Sequence, residues 1–429
     1  MKIFLRLYVL IVLMVLLAYN GLHAQQKAWP AVEDLPALQR FPDPLTMFDG
    51  TPVTSVEQWR RDRRPELISL FQYYMYGEAP PPPDNFRYTV VDVDPGALNG
   101  RATRKLITLH FGPEGTPSVS LLVLTPNDGE EPAPVLLGYN AAGNHSLMDD
   151  PAIPLTPAWI NNSYYRDTDD NKAHEYQRGL RKGNWPLKML IDRGYGVATM
   201  YAGEISPDYD GGWKEGVHKS YMKVGQHRPE SHEWAVLAAW AWGLQRGVDY
   251  LVQDEEVNQE AIAVIGHSRR GKAALLAGAL DERIAMVIPH QAGTGGTAPS
   301  RSYIGESVKM INRNFPHWFN GNFKEFNNLV ERLPFDQHDL FSLIAPRPLL
   351  LTNATEDIHA DPQGQFDMLK LTAPVYELLG VEGVGTTIFP EENVLLDSRL
   401  GYFIRPGNHS MTDTDWEAWL DFCDRHFTE

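Results

Sequence analysis

AIAVIGHSRRGKAALLAGAL, residues 261–280, runs from an apolar strand-like stretch through a serine into a small-residue helical stretch. This is the strand–turn–helix setting in which a hydrolase holds its nucleophile. A serine hydroxyl is a poor nucleophile until a base takes its proton, and a sharp turn after a parallel strand lifts that hydroxyl to the open end of the sheet. The pattern G-x-S-x-G is met only in part: Gly266 stands two before Ser268, but Arg270 stands two after it and Gly271 comes one place late. A serine that merely caps a helix fits the same residues, so nucleophile and N-cap both stand at this point.

Outward from this segment the chain alternates. Strand-like runs occur at RYTVVDVD, KLITLHF, VSLLVLTP and PVLLGYN, and then at YGVATMY, AIAVIG, AMVIPH, PLLLTNA and GYFIR. Between them lie helical stretches, notably residues 232–254 and the run from Lys272 to Leu280. The alternation predicts an α/β protein: a mostly parallel three-layer αβα sandwich of the α/β-hydrolase type, with an antiparallel edge and loop insertions. Ligands of such sheets bind outside the carboxyl ends of the strands, where Ser268 would sit. PPPPD at 80–84 reads as a rigid connector after an N-terminal helical segment that wraps the core. Residues 293–337, containing Trp318, read as a loop-and-helix excursion over the site.

Residues 1–24 carry Lys2 and Arg6, an apolar run and a small-residue end at Ala24, the pattern of an export signal. The mature chain is then 25–429, expected to be a single catalytic domain that acts as a monomer in the periplasm or outside the cell, with no membrane span. Cys423 is the only cysteine, so export brings no intramolecular disulfide. A net charge of −17 and a pI near 5.3 argue against a nucleic-acid partner. An anionic ligand must be met by local cations, which gives weight to Arg269, Arg270 and Lys272 beside the serine. Positive charge at a helix N-terminus is electrostatically unfavourable, a local cost that often marks function.

His409 follows a strand-like run and precedes a helix near the C-terminus, where this fold keeps its base. His145, His267, His290 and His359 fall in loops of the same face and are candidate substrate contacts. The carboxylate that orients the base would follow PLLLTNA, as Asp357 or the adjacent Glu356; Asp357 gives the chain order Ser268, Asp357, His409. No H-E-x-x-H or paired-cysteine pattern points to metal chemistry, and His359 with Asp361 is a weak ligand pair.

GHSRRGK resembles the G-[CH]-S-R-x-G-K signature of the glucuronoyl esterases, carbohydrate esterase family 15. Similarity extends over YAGEISPDYDGGWKEGVH, WAVLAAWAWGLQRGVDYL, HDLFSLIAPRPLLLTNATEDIHADPQG and PGNHSMT. The resemblance implies a serine esterase without a cofactor. Its substrate would be the ester between 4-O-methyl-glucuronic acid on glucuronoxylan and an alcohol, in plant biomass a lignin alcohol. It makes Ser268 the nucleophile and His409 the base, with the Arg269 side chain in the oxyanion hole. Lys272 and Glu306 match positions that hold uronic acid hydroxyls; Trp318, in an insert that shapes the site, His359 and Gln291 are expected to contact the substrate as well. In two places the sequence departs from the family pattern. Gln291 stands where many members carry a catalytic glutamate, which favours Asp357 as the acid. His359 stands where related bacterial sequences often carry a tryptophan that contacts sugar. Two rival readings keep the same residues: a carbohydrate acetyl or other acyl esterase, and a catalytically weakened polysaccharide-binding protein.

Overall fold

The computed structural model describes residues 29–129, 131–165 and 168–427; the expected export signal at 1–24 lies outside them. Of the described residues, Trp29–Leu35 fall in a separate unit, in which Val32–Asp34 is a single 3-10 turn. Pro36–Glu429 group as a second unit that carries the whole sheet.

Nine strands form one sheet in the order β1-β2-β3-β5-β4-β6-β7-β8-β9. They are β1 (Arg87–Gly96), β2 (Ala102–His110), β3 (Val119–Pro126), β4 (Ala133–Asn140), β5 (Gly196–Tyr201), β6 (Val257–His267), β7 (Met286–His290), β8 (Leu349–Ala354) and β9 (Leu400–Arg405). Each falls on one of the runs expected from sequence. The β1–β2–β3–β5 pairings are antiparallel, and from β5 through β4 to β9 every pairing is parallel. The composition explains the division: β5, β7, β8 and β9 are buried at every position, as strands covered on both faces must be. The edge strand β1 is exposed along most of its length, and Asp92 and Asp94 interrupt its valines, which discourages pairing with another chain.

Helices cover both faces. Those used below are α1 (Val236–Leu251), α2 (Arg269–Leu280), α3 (Pro362–Leu378) and α4 (Asp413–Phe427). Trp416, Trp419 and Phe422 of α4 pack with Leu136, Ala263, Ile265 and Ile288 of the central strands in one buried cluster. On the other side α1 comes close enough to the sheet that a Cβ at Gly243 would lie 2.4 Å from the Tyr139 hydroxyl. A helical stretch over Val56–Tyr76 precedes the proline connector. It reaches the far side of the chain through Phe71 against Phe335, centroids 4.0 Å apart, and through the Tyr76 hydroxyl, which donates to Gly295 O at 3.0 Å. No helix among the described residues is long and apolar enough to cross a membrane.

Candidate active site

β6 ends at His267, and Ser268 follows with φ 59° and ψ −127° before α2 begins. A non-glycine residue at positive φ carries about 1–3 kcal/mol of strain, held here by the strand on one side and the helix on the other. The Ser268 N–H donates to His290 O of the neighbouring strand at 2.8 Å. Its side chain makes no cap hydrogen bond, and its backbone lies outside the extended region an N-cap adopts, so the capping alternative fails on geometry. The late glycine also has its reason. A Cβ at Gly266 would lie 2.3 Å from Arg270 O, and one at Gly271 would lie 2.7 Å from Gly266 O. The helix therefore crosses the strand end at Gly271, and Arg270 is freed to carry a side chain.

His409 lies in the loop after β9, and its Nδ1 is 2.7 Å from Asp357 Oδ2. Asp357 is 5% exposed whereas Glu356 is exposed, which decides between the two carboxylates. The loop after β8 is tied to the loop after β9 by Thr355 N–H to Arg405 O at 2.9 Å and Glu356 N–H to Gly407 O at 2.8 Å. Arg405 in turn holds Asp415 through Nε at 2.8 and 2.9 Å, and Ser410 O through Nη2 at 2.8 Å. The imidazole thus stands on a loop bolted at both ends, which fixes its orientation before substrate arrives.

Arg269 projects from the first turn of α2. Its Nη1 donates to Asp208 Oδ2 at 2.7 Å, and its guanidinium lies over the rings of Trp318 (4.6 Å) and Phe315 (4.9 Å). Asp208 Oδ1 accepts from Trp318 Nε1 at 2.9 Å and pairs with His317 Nε2 at 3.0 Å. Burial opposes ionisation of Asp208, but the hydrogen bond with His317 and the Arg269 charge outweigh it, and the carboxyl is held below its ordinary value. Asp208 was not singled out from sequence, although it lies in YAGEISPDYDGG; only the fold brings it to Arg269, 61 residues away. Asp208→Ala is expected to leave the guanidinium on its aromatic bed but free to swing, and to lower kcat by about 10²-fold with little change in KM. Steady-state kinetics with a glucuronate ester would check it; a KM effect alone would mark Asp208 as a binding group.

Several expected substrate contacts are placed differently. Trp318 is 3% exposed and stacks on Phe315 at 3.8 Å, so it supports Arg269 and offers no face to a sugar. Gln291 is 1% exposed: its Oε1 accepts from Ser410 N–H at 3.0 Å and faces His267 Nε2 at 3.0 Å. It is a brace for the His409 loop rather than a substrate contact, and the imidazole it touches belongs to His267. Lys272 is 4% exposed, and its Nζ donates to Ala292 O and to Thr294 O, tying down the loop after β7. Burial lowers its ammonium to about 8. The Glu306 side chain is largely covered, its Oε1 3.8 Å from Nε2 of the exposed His359. Asp361 caps α3 through Gly364 N–H at 3.0 Å and accepts from Ser302 Oγ at 2.6 Å, so it does not pair with His359 as a ligand. His145 and His290 are fully buried and cannot meet substrate.

Ser268, Arg269 and His409 line one cavity of about 390 Å³. A family profile described as "Glucuronyl esterase, fungi" matches residues 225–380. A solved structure of a promiscuous CE15 esterase from a marine bacterial metagenome is 41% identical, with TM-score 0.85, over 92% of this chain and 98% of that one. The chain belongs to carbohydrate esterase family 15, the glucuronoyl esterases. The glucuronoyl esterase from Solibacter usitatus is 38% identical with TM-score 0.85, covering 92% of this chain and all of that one. A 4-O-methyl-glucuronoyl methylesterase of Phanerochaete carnosa is 29% identical over 86% of this chain and 76% of its own length. This family member is a carboxylic ester hydrolase of the α/β-hydrolase type.

Proposed function

We propose that the enzyme hydrolyses esters of 4-O-methyl-glucuronic acid on glucuronoxylan, of the lignin–carbohydrate type, through Ser268, His409, Asp357 and Arg269. His409 takes the Ser268 proton as Oγ attacks the uronate carbonyl. Asp357 holds the imidazole by Nδ1–H and balances the imidazolium that forms. The Arg269 guanidinium and backbone N–H groups at the start of α2 donate to the oxyanion, each such donor being worth about 3–4 kcal/mol. His409 then returns the proton to the departing alcohol oxygen, and water releases the glucuronate by the same route. The observation that carries this reading is the strained elbow of Ser268 opening into one cavity with an imidazole held 2.7 Å from a buried carboxylate. Glu306, Lys272 and His359 are assigned to the uronic acid side, Lys272 through the loop it anchors. The signal-like residues 1–24 support export to the periplasm or beyond, with a monomeric catalytic domain following.

A second reading, a broader acyl esterase, is favoured by the relative described as promiscuous. Benzyl glucuronate and acetylated xylan, assayed side by side with product analysis, separate the two. The proposal expects kcat/KM to favour the glucuronate ester by about 10²-fold or more, the discrimination expected of a site built to hydrogen-bond the sugar. Equal rates, or release of acetate alone, would reject it. The weakened-binder reading loses its ground, because the carboxylate facing His409 is Asp357 and Gln291 serves elsewhere.

A further inference from the structure

The cavity beside Ser268 holds cationic side chains that the hydrolytic steps do not use. Arg270 lines it from the first turn of α2 and is 8% exposed. Its Nη2 donates to the Tyr164 hydroxyl at 3.1 Å and reaches Ala141 O only at 3.5 Å, and its Nε is buried without a partner. Arg181 lines the same cavity, donates to Tyr164 O and lies over the Tyr164 ring at 5.7 Å. Among the described residues neither guanidinium has a carboxylate in ion-pair range, whereas Arg269 next to them is paired with Asp208. Burying a guanidinium without a counter-ion is costly, and the N-terminal end of α2 adds positive potential of its own. Tyr164 registers that field: burial would raise its phenol, yet Arg270 and Arg269 bring it below its ordinary value.

Position says which half of the ester meets these cations. His409, Ser410 and Met411 line the cavity, while Lys272, Glu306 and His359 do not. An imidazole that returns a proton to the leaving oxygen must have the alcohol on its own side. Leu147, Trp185 and Met411 add apolar side chains to the wall, beside Asn184 and His267.

We propose that this pocket is an anion subsite for the alcohol half of the ester, taking an aromatic alcohol that carries a carboxylate and pairing that carboxylate with Arg270 and Arg181. The assignment rests on the ester-cleavage reading above. It runs against the charge of −17 on the whole chain, which disfavours an anionic ester at a distance. A preference for the anion must therefore arise at these two guanidinium groups.

The test uses the full-length enzyme and three glucuronate esters sharing one acyl half: benzyl, 4-carbamoylbenzyl and 4-carboxybenzyl. The wild type is expected to show kcat/KM about tenfold or more higher for carboxybenzyl than for its carbamoyl isostere, falling as salt is raised. Arg270→Gln and, separately, Arg181→Gln are each expected to bring the ratio toward one. Because the ratio is taken within one enzyme preparation, a partly folded variant still reports. Turnover of the benzyl ester with no carboxylate preference, or a preference that survives in both variants, would overturn the subsite and leave the esterase reading standing. No turnover of any of the three esters would overturn both.

Discussion

Ser268→Ala is expected to reduce hydrolysis of benzyl glucuronate by at least ~10⁴-fold, because removal of a serine nucleophile leaves only the oxyanion donors and binding to act on water. The measurement is single-turnover hydrolysis with active-site labelling by a fluorophosphonate, which should mark the wild type and not the variant. Retention of more than a few per cent of the activity would sink the nucleophile assignment. Stability offers an independent check on the same residue. Alanine at φ 59° keeps the backbone strain, whereas Ser268→Gly relieves it, since glycine adopts positive φ without steric penalty. Ser268→Gly should therefore be inactive yet more stable than Ser268→Ala by about 1 kcal/mol in denaturant titration. An elbow that stores strain for function predicts that opposition; an ordinary turn serine would not.

Asp357→Asn should lower kcat by about 10⁴-fold, the loss expected when an amide replaces the carboxylate that fixes the imidazole tautomer. Asp357 is buried, and its Oδ2 lies 2.7 Å from His409 Nδ1. Gln291→Ala is the matched comparison. It removes the acceptor of Ser410 N–H and the partner of His267 Nε2, both in a buried setting. The expected cost is about 1–3 kcal/mol of stability, with a much smaller loss of turnover while the protein stays folded. If Gln291→Ala were the more damaging to kcat, the acid would be misplaced.

How much of this could be read without coordinates follows from the range of each interaction. Every strand was legible: the central ones as apolar runs that reflect burial on both faces of a parallel sheet, the antiparallel edge as runs in which apolar and polar residues alternate. The chain order of Ser268, Asp357 and His409 was legible too, since each falls in the turn or loop that follows its own strand. What could not be read was the use of polar groups buried at long sequence separation. Trp318, Gln291 and Lys272 were expected to meet substrate. Each instead satisfies a neighbouring group: Trp318 an Asp208 oxygen, Gln291 the Ser410 amide, Lys272 two loop carbonyls. Residue type and loop position are the same for a ligand contact and for a brace; only accessible area separates them.

The sequence by itself determined the α/β framework and the strand–turn–helix elbow, and it narrowed the proposed reacting groups to Ser268, His409 and one of two adjacent carboxylates, Asp357 or Glu356. These follow from local pattern and from which residue ends each strand. Tertiary structure alone decided which side chains stay accessible and which charges find a partner. Arg269 and Arg270 are adjacent in the chain and chemically alike, yet one meets Asp208 and the other meets only a phenol and a carbonyl. Charge compensation depends on distances through space, and the turn of a helix sends neighbouring residues toward different surroundings.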